Sequence, residues 1–139
     1  MVEDEPPVPS RIFISYRREE SLGFVRALLG PLQSHFGRHQ ISKDTDNIPP
    51  GENFVEVIER ELESCKVLLV MIGREWMTIQ DVRTGKRRVD NPDDTIRIEV
   101  TAALRNVKIT VIPVLVDGVE MPRAEDLPAD LAELGGLNA

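Results

Sequence analysis

Glu99 is the residue whose setting is least expected of a surface carboxylate. A helix is predicted from about Asp94 to Asn106, and from its first turn Ile96, Val100, Ala103 and Val107 recur at offsets of 4, 7 and 11, a stripe that predicts an inward face. Glu99 stands three residues after Ile96 and four before Ala103, so it shares that stripe. A carboxylate beside buried groups loses hydration, which raises its pKa and suits it to acid or base work. Spacing alone leaves a second reading open, a boundary glutamate that bends out to water.

Other chemistry is sparse. There is no glycine-rich phosphate loop and no Gly-x-Ser-x-Gly elbow. His35 and His39 are four apart, but His39 lies beyond Gly37 in a predicted turn, and no acid or cysteine completes a metal site. Ser15 follows an apolar run without a base to activate it. Arg83, Lys86, Arg87 and Arg88 cluster around Thr84-Gly85, either as an exposed loop or as a contact for an anionic ligand. Trp76, the only tryptophan, reads as core or lid packing, with a stacking platform for a nucleotide base as the alternative.

The elements that must position these residues alternate. Ile12-Phe13-Ile14 is a short buried strand that opens into polar Ser15-Tyr16-Arg17-Arg18. A helix capped by Ser21 follows, carrying Leu22, Val25, Leu28, Leu29, Leu32 and Phe36, with a kink or break expected at Gly30-Pro31. Ile41-Ser42-Lys43-Asp44 is a weaker strand, and 46–51 is dense in turn formers. Phe54, Val57, Ile58, Leu62 and Cys65 predict a second helix. Val67–Ile72 is apolar throughout, as in a strand buried on both faces. Residues 109–116 form another strand, in which Pro113 argues for an edge position or a bulge. A polar stretch, 80–94, precedes the Glu99 helix. Strands and helices in this alternation predict a parallel sheet covered on both faces, with ligands at the carboxyl ends of its strands.

A chain of 139 residues fits one domain, with residues 1–10 an acidic, proline-rich disordered tail and order beginning at Arg11. Lys and Arg number 17 against 24 Asp and Glu, a net charge of −7. That balance disfavours nucleic acid and anionic membrane surfaces as partners. One cysteine excludes an internal disulfide and fits a reducing compartment. No apolar run approaches the roughly 20 residues of a membrane span. A soluble protein of the cytoplasm is the expectation.

Three motifs carry a family resemblance. Phe13-Ile14-Ser15-Tyr16-Arg17-Arg18 resembles the first-strand motif of the Toll/interleukin-1 receptor (TIR) domains of bacteria. The run from Asp44 through Thr45, Asp46, Asn47, Ile48, Pro49 and Pro50 to Gly51 is similar to their second motif, the BB loop. Glu99, within 98–104, falls where enzymatically active members carry a catalytic glutamate. The resemblance spans residues 11–139 and implies a flavodoxin-like α/β fold, a five-stranded parallel sheet whose last strand and helix would lie beyond this chain.

It further implies cleavage of NAD+ as substrate, with no cofactor, to nicotinamide and ADP-ribose or a cyclised form. Phe13, Ser15, Arg17, Arg18 and Asp44, with Trp76, would then line the substrate site, and Arg17 or Arg18 would meet the pyrophosphate. Asp46, Asn47, Ile48, Pro49, Pro50 and Gly51 would form an assembly loop. Self-association with other TIR domains and a fused sensor domain, as in a bacterial defence or signalling protein, follow from the same resemblance. Some active members carry a tryptophan at the position of Thr95. The competing implication is a scaffold that acts through TIR–TIR contact without catalysis.

Overall fold

A computed structural model of the chain describes residues 11–42, 51 and 53–138. Four strands, β1 (Ile12–Ser15), β2 (Ile41–Ser42), β3 (Val67–Ile72) and β4 (Thr110–Leu115), form one sheet in the order β2-β1-β3-β4, and every pairing is parallel. Helices α1 (Arg18–Phe36), α2 (Phe54–Leu62) and α3 (Thr95–Arg105) make the crossovers. This is the expected flavodoxin-like α/β arrangement, here with four strands. The strand order reverses direction between β1 and β3, which opens a crevice at their carboxyl ends.

Alternation along the strands divides the core in two. Phe13, Leu68, Val70, Ile72 and Val111 join residues of α2 and α3 in one cluster, whereas Ile14, Tyr16 and Met71 join Val25 and its neighbours on α1 in the other. Each fully buried aliphatic side chain of these layers contributes about 1.5–3 kcal/mol. Beyond β4, 3-10 turns at Ala124–Asp126 and Ala129–Gly136 add Leu127, Leu131 and Leu134 to the α3 side. They approach so closely that a Cβ on Gly135 would lie 2.6 Å from the Ala124 backbone nitrogen.

Several expectations are corrected. Helix α1 begins at Arg18, with Arg17 at its N-cap position but without a side-chain cap, and Ser21 lies buried inside it instead of capping it. The helix is also unbroken at Pro31. The carbonyl left without a donor belongs to Ala27, which is exposed, so water can satisfy it. Val107 is 99% exposed because α3 ends at Arg105 with Asn106 as its C-cap, two residues before the last position of the predicted stripe. Cys65 is buried beyond the end of α2. Pro113 does lie in an edge strand among the described strands. Thr110 N donates to the carbonyl of Lys66, just before β3, and Val116 N to that of Ile72, so the intervening odd-numbered Pro113 turns its nitrogen away from the ladder.

Helix α3 is fastened to β1 by one buried ion pair. Arg17 Nη1 and Nη2 donate to Asp94 Oδ1 and Oδ2 at 3.0 and 2.9 Å, and Arg17 Nε donates to the Trp76 carbonyl at 3.2 Å. Asp94 is also the N-cap of α3, its Oδ2 accepting from Arg97 N at 3.3 Å. Asp94→Ala therefore strands a guanidinium that is 3% exposed. Such a loss costs about 3–5 kcal/mol. Urea unfolding should show a fall of at least about 3 kcal/mol, with Asp94→Asn losing less because it still caps the helix. A loss below about 1 kcal/mol for the alanine variant would mean that the pair does not hold α3.

Candidate functional site

The crevice between β1 and β3 gathers much of what the sequence singled out. Phe13 and Ser15 alternate with Ile14 and so point to the α3 side of the sheet. Arg17 reaches the same side through Asp94 and Trp76. Glu99 sits on α3 beside Ile96 and Val100 and is only 4% exposed. The inward position predicted for it therefore holds, and the reading of a glutamate bent out to water does not. Helix α3 packs against β1, β3 and β4, its cap Asp94 meets Arg17 just beyond β1, and Ile96 and Val100 share a core cluster with Phe13.

Burial sorts the remaining residues. Ser15 is 0% exposed, and its Oγ has no hydrogen-bond partner among the described residues. Trp76 is also 0% exposed, with the Arg17 guanidinium 5.7 Å from its ring centroid. A stacking platform needs an open ring face; the burial of Trp76 shows packing. Arg17 is committed to Asp94 and Trp76, so three of its donor nitrogens are engaged. Arg18 is exposed at the first turn of α1, where helix-terminal N–H groups favour anions. Asp44, Asp46, Asn47, Ile48, Pro49 and Pro50 lie outside the described residues. Gly51 is exposed with φ +87°, a left-handed conformation that suits glycine.

The basic cluster is an exposed hairpin. Gln80 and Arg87 bridge antiparallel around Gly85, and Asp81 N donates to the Lys86 carbonyl at 2.8 Å. Two of its cations are matched by acids: Arg87 with Asp90 and Arg88 with Glu19, each pair at 2.8 Å. The Arg87 guanidinium holds the Asp90 carboxyl below its ordinary range. Burial pushes the Cys65 thiol up, and its Sγ donates to the Val67 carbonyl, the setting of an inert cysteine.

Sequence reasoning missed Asp94 as the partner of Arg17, since a pair separated by 77 positions leaves no local pattern. It also missed Glu20, whose carboxylate accepts from Gly73 N and Glu75 N at 3.2 and 2.7 Å. The adjacent Glu19 and Glu20 were a usable signal, because acids gather in the first turn of a helix. Two grooves lie elsewhere. One of about 710 Å³ runs between α2 and the outer side of α3, past Leu62, Ile98 and Arg105, and one of about 450 Å³ lies at the opposite end of the sheet near Arg11 and Phe36. Neither includes Glu99. No described helix is long and apolar enough to cross a membrane.

Comparison with known proteins agrees with this architecture. A solved structure of a metazoan TIR-STING receptor from C. gigas superposes with a TM-score of 0.53 at 21% identity, a likeness of fold alone. The match covers 94% of this chain and 37% of that one, so the chain spans little more than a third of the receptor's length. No curated protein matches the chain. The TIR domain family model matches residues 12–137, nearly all of the described fold. The chain belongs to the TIR domain family.

Proposed function

We propose that this TIR domain cleaves the nicotinamide–ribose bond of NAD+, with Glu99 as its catalytic carboxylate. The observation that carries the reading is the burial of Glu99 on the sheet-facing side of α3, over the crevice that Phe13, Ser15 and Arg17 border. The Ser15 hydroxyl, buried without a partner among the described residues, is a donor suited to a ribose oxygen.

The chemistry asks little of the protein. The C1′–N bond breaks with its electron pair passing to the pyridinium nitrogen, so nicotinamide leaves neutral without a proton from an acid. The ribose left behind is an oxocarbenium-like cation, which one carboxylate at low dielectric can stabilise. Water then adds at C1′ and gives up a proton, or the adenine ring adds to give a cyclic product. Among the described cations near the crevice, Arg18 suits the pyrophosphate, whereas Arg17 positions α3 through Asp94.

The second reading, a scaffold that acts through TIR–TIR contact, draws on the same burial. A carboxylate only 4% exposed is closed to a dinucleotide in the lone domain. The two readings meet if assembly through 46–51 opens or completes the site, with a fused sensor domain controlling assembly.

Three measurements separate these ideas. Glu99→Gln should lower nicotinamide release at least about a hundredfold in a domain that melts within a few degrees of wild type. Release near the wild-type rate in the folded variant removes the catalytic assignment. Arg18→Ala should raise KM for NAD+ severalfold with a smaller change in kcat, as a ground-state phosphate contact does; the opposite split places Arg18 elsewhere. Specific activity should climb with protein concentration, and Pro50→His should flatten that rise. A flat profile from nanomolar to tens of micromolar for wild type would show that each copy works alone.

A further inference from the structure

Between the end of β3 and the cap of α3, residues 73–94 run across the carboxyl end of the sheet and are tied to the first turn of α1. The Glu20 carboxylate receives Gly73 N and Glu75 N, and a Cβ on Gly73 would already touch it at 3.0 Å. Arg17 takes the Trp76 carbonyl and Asp94. Arg88 Nη1 donates to Glu19 Oε1 at 2.8 Å. The middle of the segment is closed on itself, by the hairpin around Gly85 and by Arg88 N donating to the Ile79 carbonyl at 2.8 Å. Its buried side chains, Trp76 and Val89, belong to the core cluster of Phe13, Ile96 and Val100, the last two flanking Glu99 along α3. Arg97 Nη1 meets the Val89 carbonyl at 3.3 Å.

We propose that residues 73–94 are a strap that covers Glu99 in the lone domain, and that the Glu19–Arg88 pair is its releasable latch. The inference rests on reading Glu99 as the functional carboxylate. The ties differ in kind. Arg17–Asp94 is buried, with side-chain exposures of 2% and 9%, and holds the far end of the strap. Glu19–Arg88 lies in water, with exposures of 52% and 31%, and Arg88 holds the Glu19 carboxyl below its ordinary range. A solvated pair biases an equilibrium by a factor of up to about five, small enough for a docking partner at the α1 end to overcome. The strap would then swing as a preformed unit and lift Val89, and with it the cover over α3.

Two readouts test this without NAD+ turnover. Trp76 is the only tryptophan, so acrylamide quenching of its fluorescence reports on the strap itself. Amidation of Glu99 by a water-soluble carbodiimide with glycinamide, followed by peptide mass, reports access to the carboxylate. Glu19→Gln and Arg88→Gln should each raise both rates about two- to fivefold at unchanged circular dichroism. Val89→Ala, which removes buried methyl groups from the strap, should raise them about tenfold; if it fails to fold, the two latch variants decide. Wild-type labelling of Glu99 in both folded latch variants overturns the proposal. So does a rise in Trp76 quenching without a rise in Glu99 labelling, because the strap would then move without uncovering the site. Absence of NAD+ cleavage in every variant counts only against the function proposed above.

Discussion

A guanidinium taken out of water must be given back its hydrogen bonds, and the rest of the carboxyl end of this domain is arranged around doing so for Arg17. Its charge is 3% exposed, and its donors are met by a carboxylate from α3 and a carbonyl from the turn after β3. Removing two charges from water costs several kcal/mol per ion unless geometry is good. Here the two-point contact with Asp94 supplies that geometry. The consequence is mechanical: three segments far apart in sequence meet at one side chain.

That constraint explains how a short helix holds a carboxylate over the crevice. Asp94 is both the ion-pair partner and the N-cap, so the point at which α3 starts and the point at which it is anchored coincide. With the start fixed, the 3.6-residue period sets which positions face the sheet, and Ile96, Glu99, Val100 and Ala103 are those positions. Arg97, on the other side, pairs with Asp130 at 3.2 Å and keeps the helix from rolling. A glutamate held inward by such an arrangement gives up hydration for a fixed position.

The helical and strand periods were legible because they are local. The unbroken apolar run Val67–Ile72 read as a buried strand, and the Ile96–Val100–Ala103 spacing put Glu99 on the inward stripe, leaving only its side-chain direction open. Errors arose where an end or an exception depended on distant packing. The start of α1 was read at Ser21, although Glu19 and Glu20 lie within its first turn. Pro31 was expected to disturb a helix that continues because its orphaned carbonyl lies on a wet face. Val107 fitted the stripe in number but stands beyond a helix that ends at Arg105. Trp76 carried two readings, and only its burial beneath Arg17 chose between them.

By itself, the sequence determined the alternation of strands and helices, hence the parallel sheet, and the face on which Glu99 lies. Each follows from side-chain periods of two or 3.6 residues, which need no knowledge of what packs opposite. Tertiary structure alone decided which charges are buried. Arg17 and Arg18 are adjacent and chemically alike, yet one is closed in an ion pair with Asp94 and the other stands exposed at a helix terminus. It also decided that Glu99 is only 4% exposed and that Glu19 and Glu20 meet residues 53 to 69 positions away. Interactions across such separations arise only when the sheet brings its strand ends together, so no window of sequence contains them.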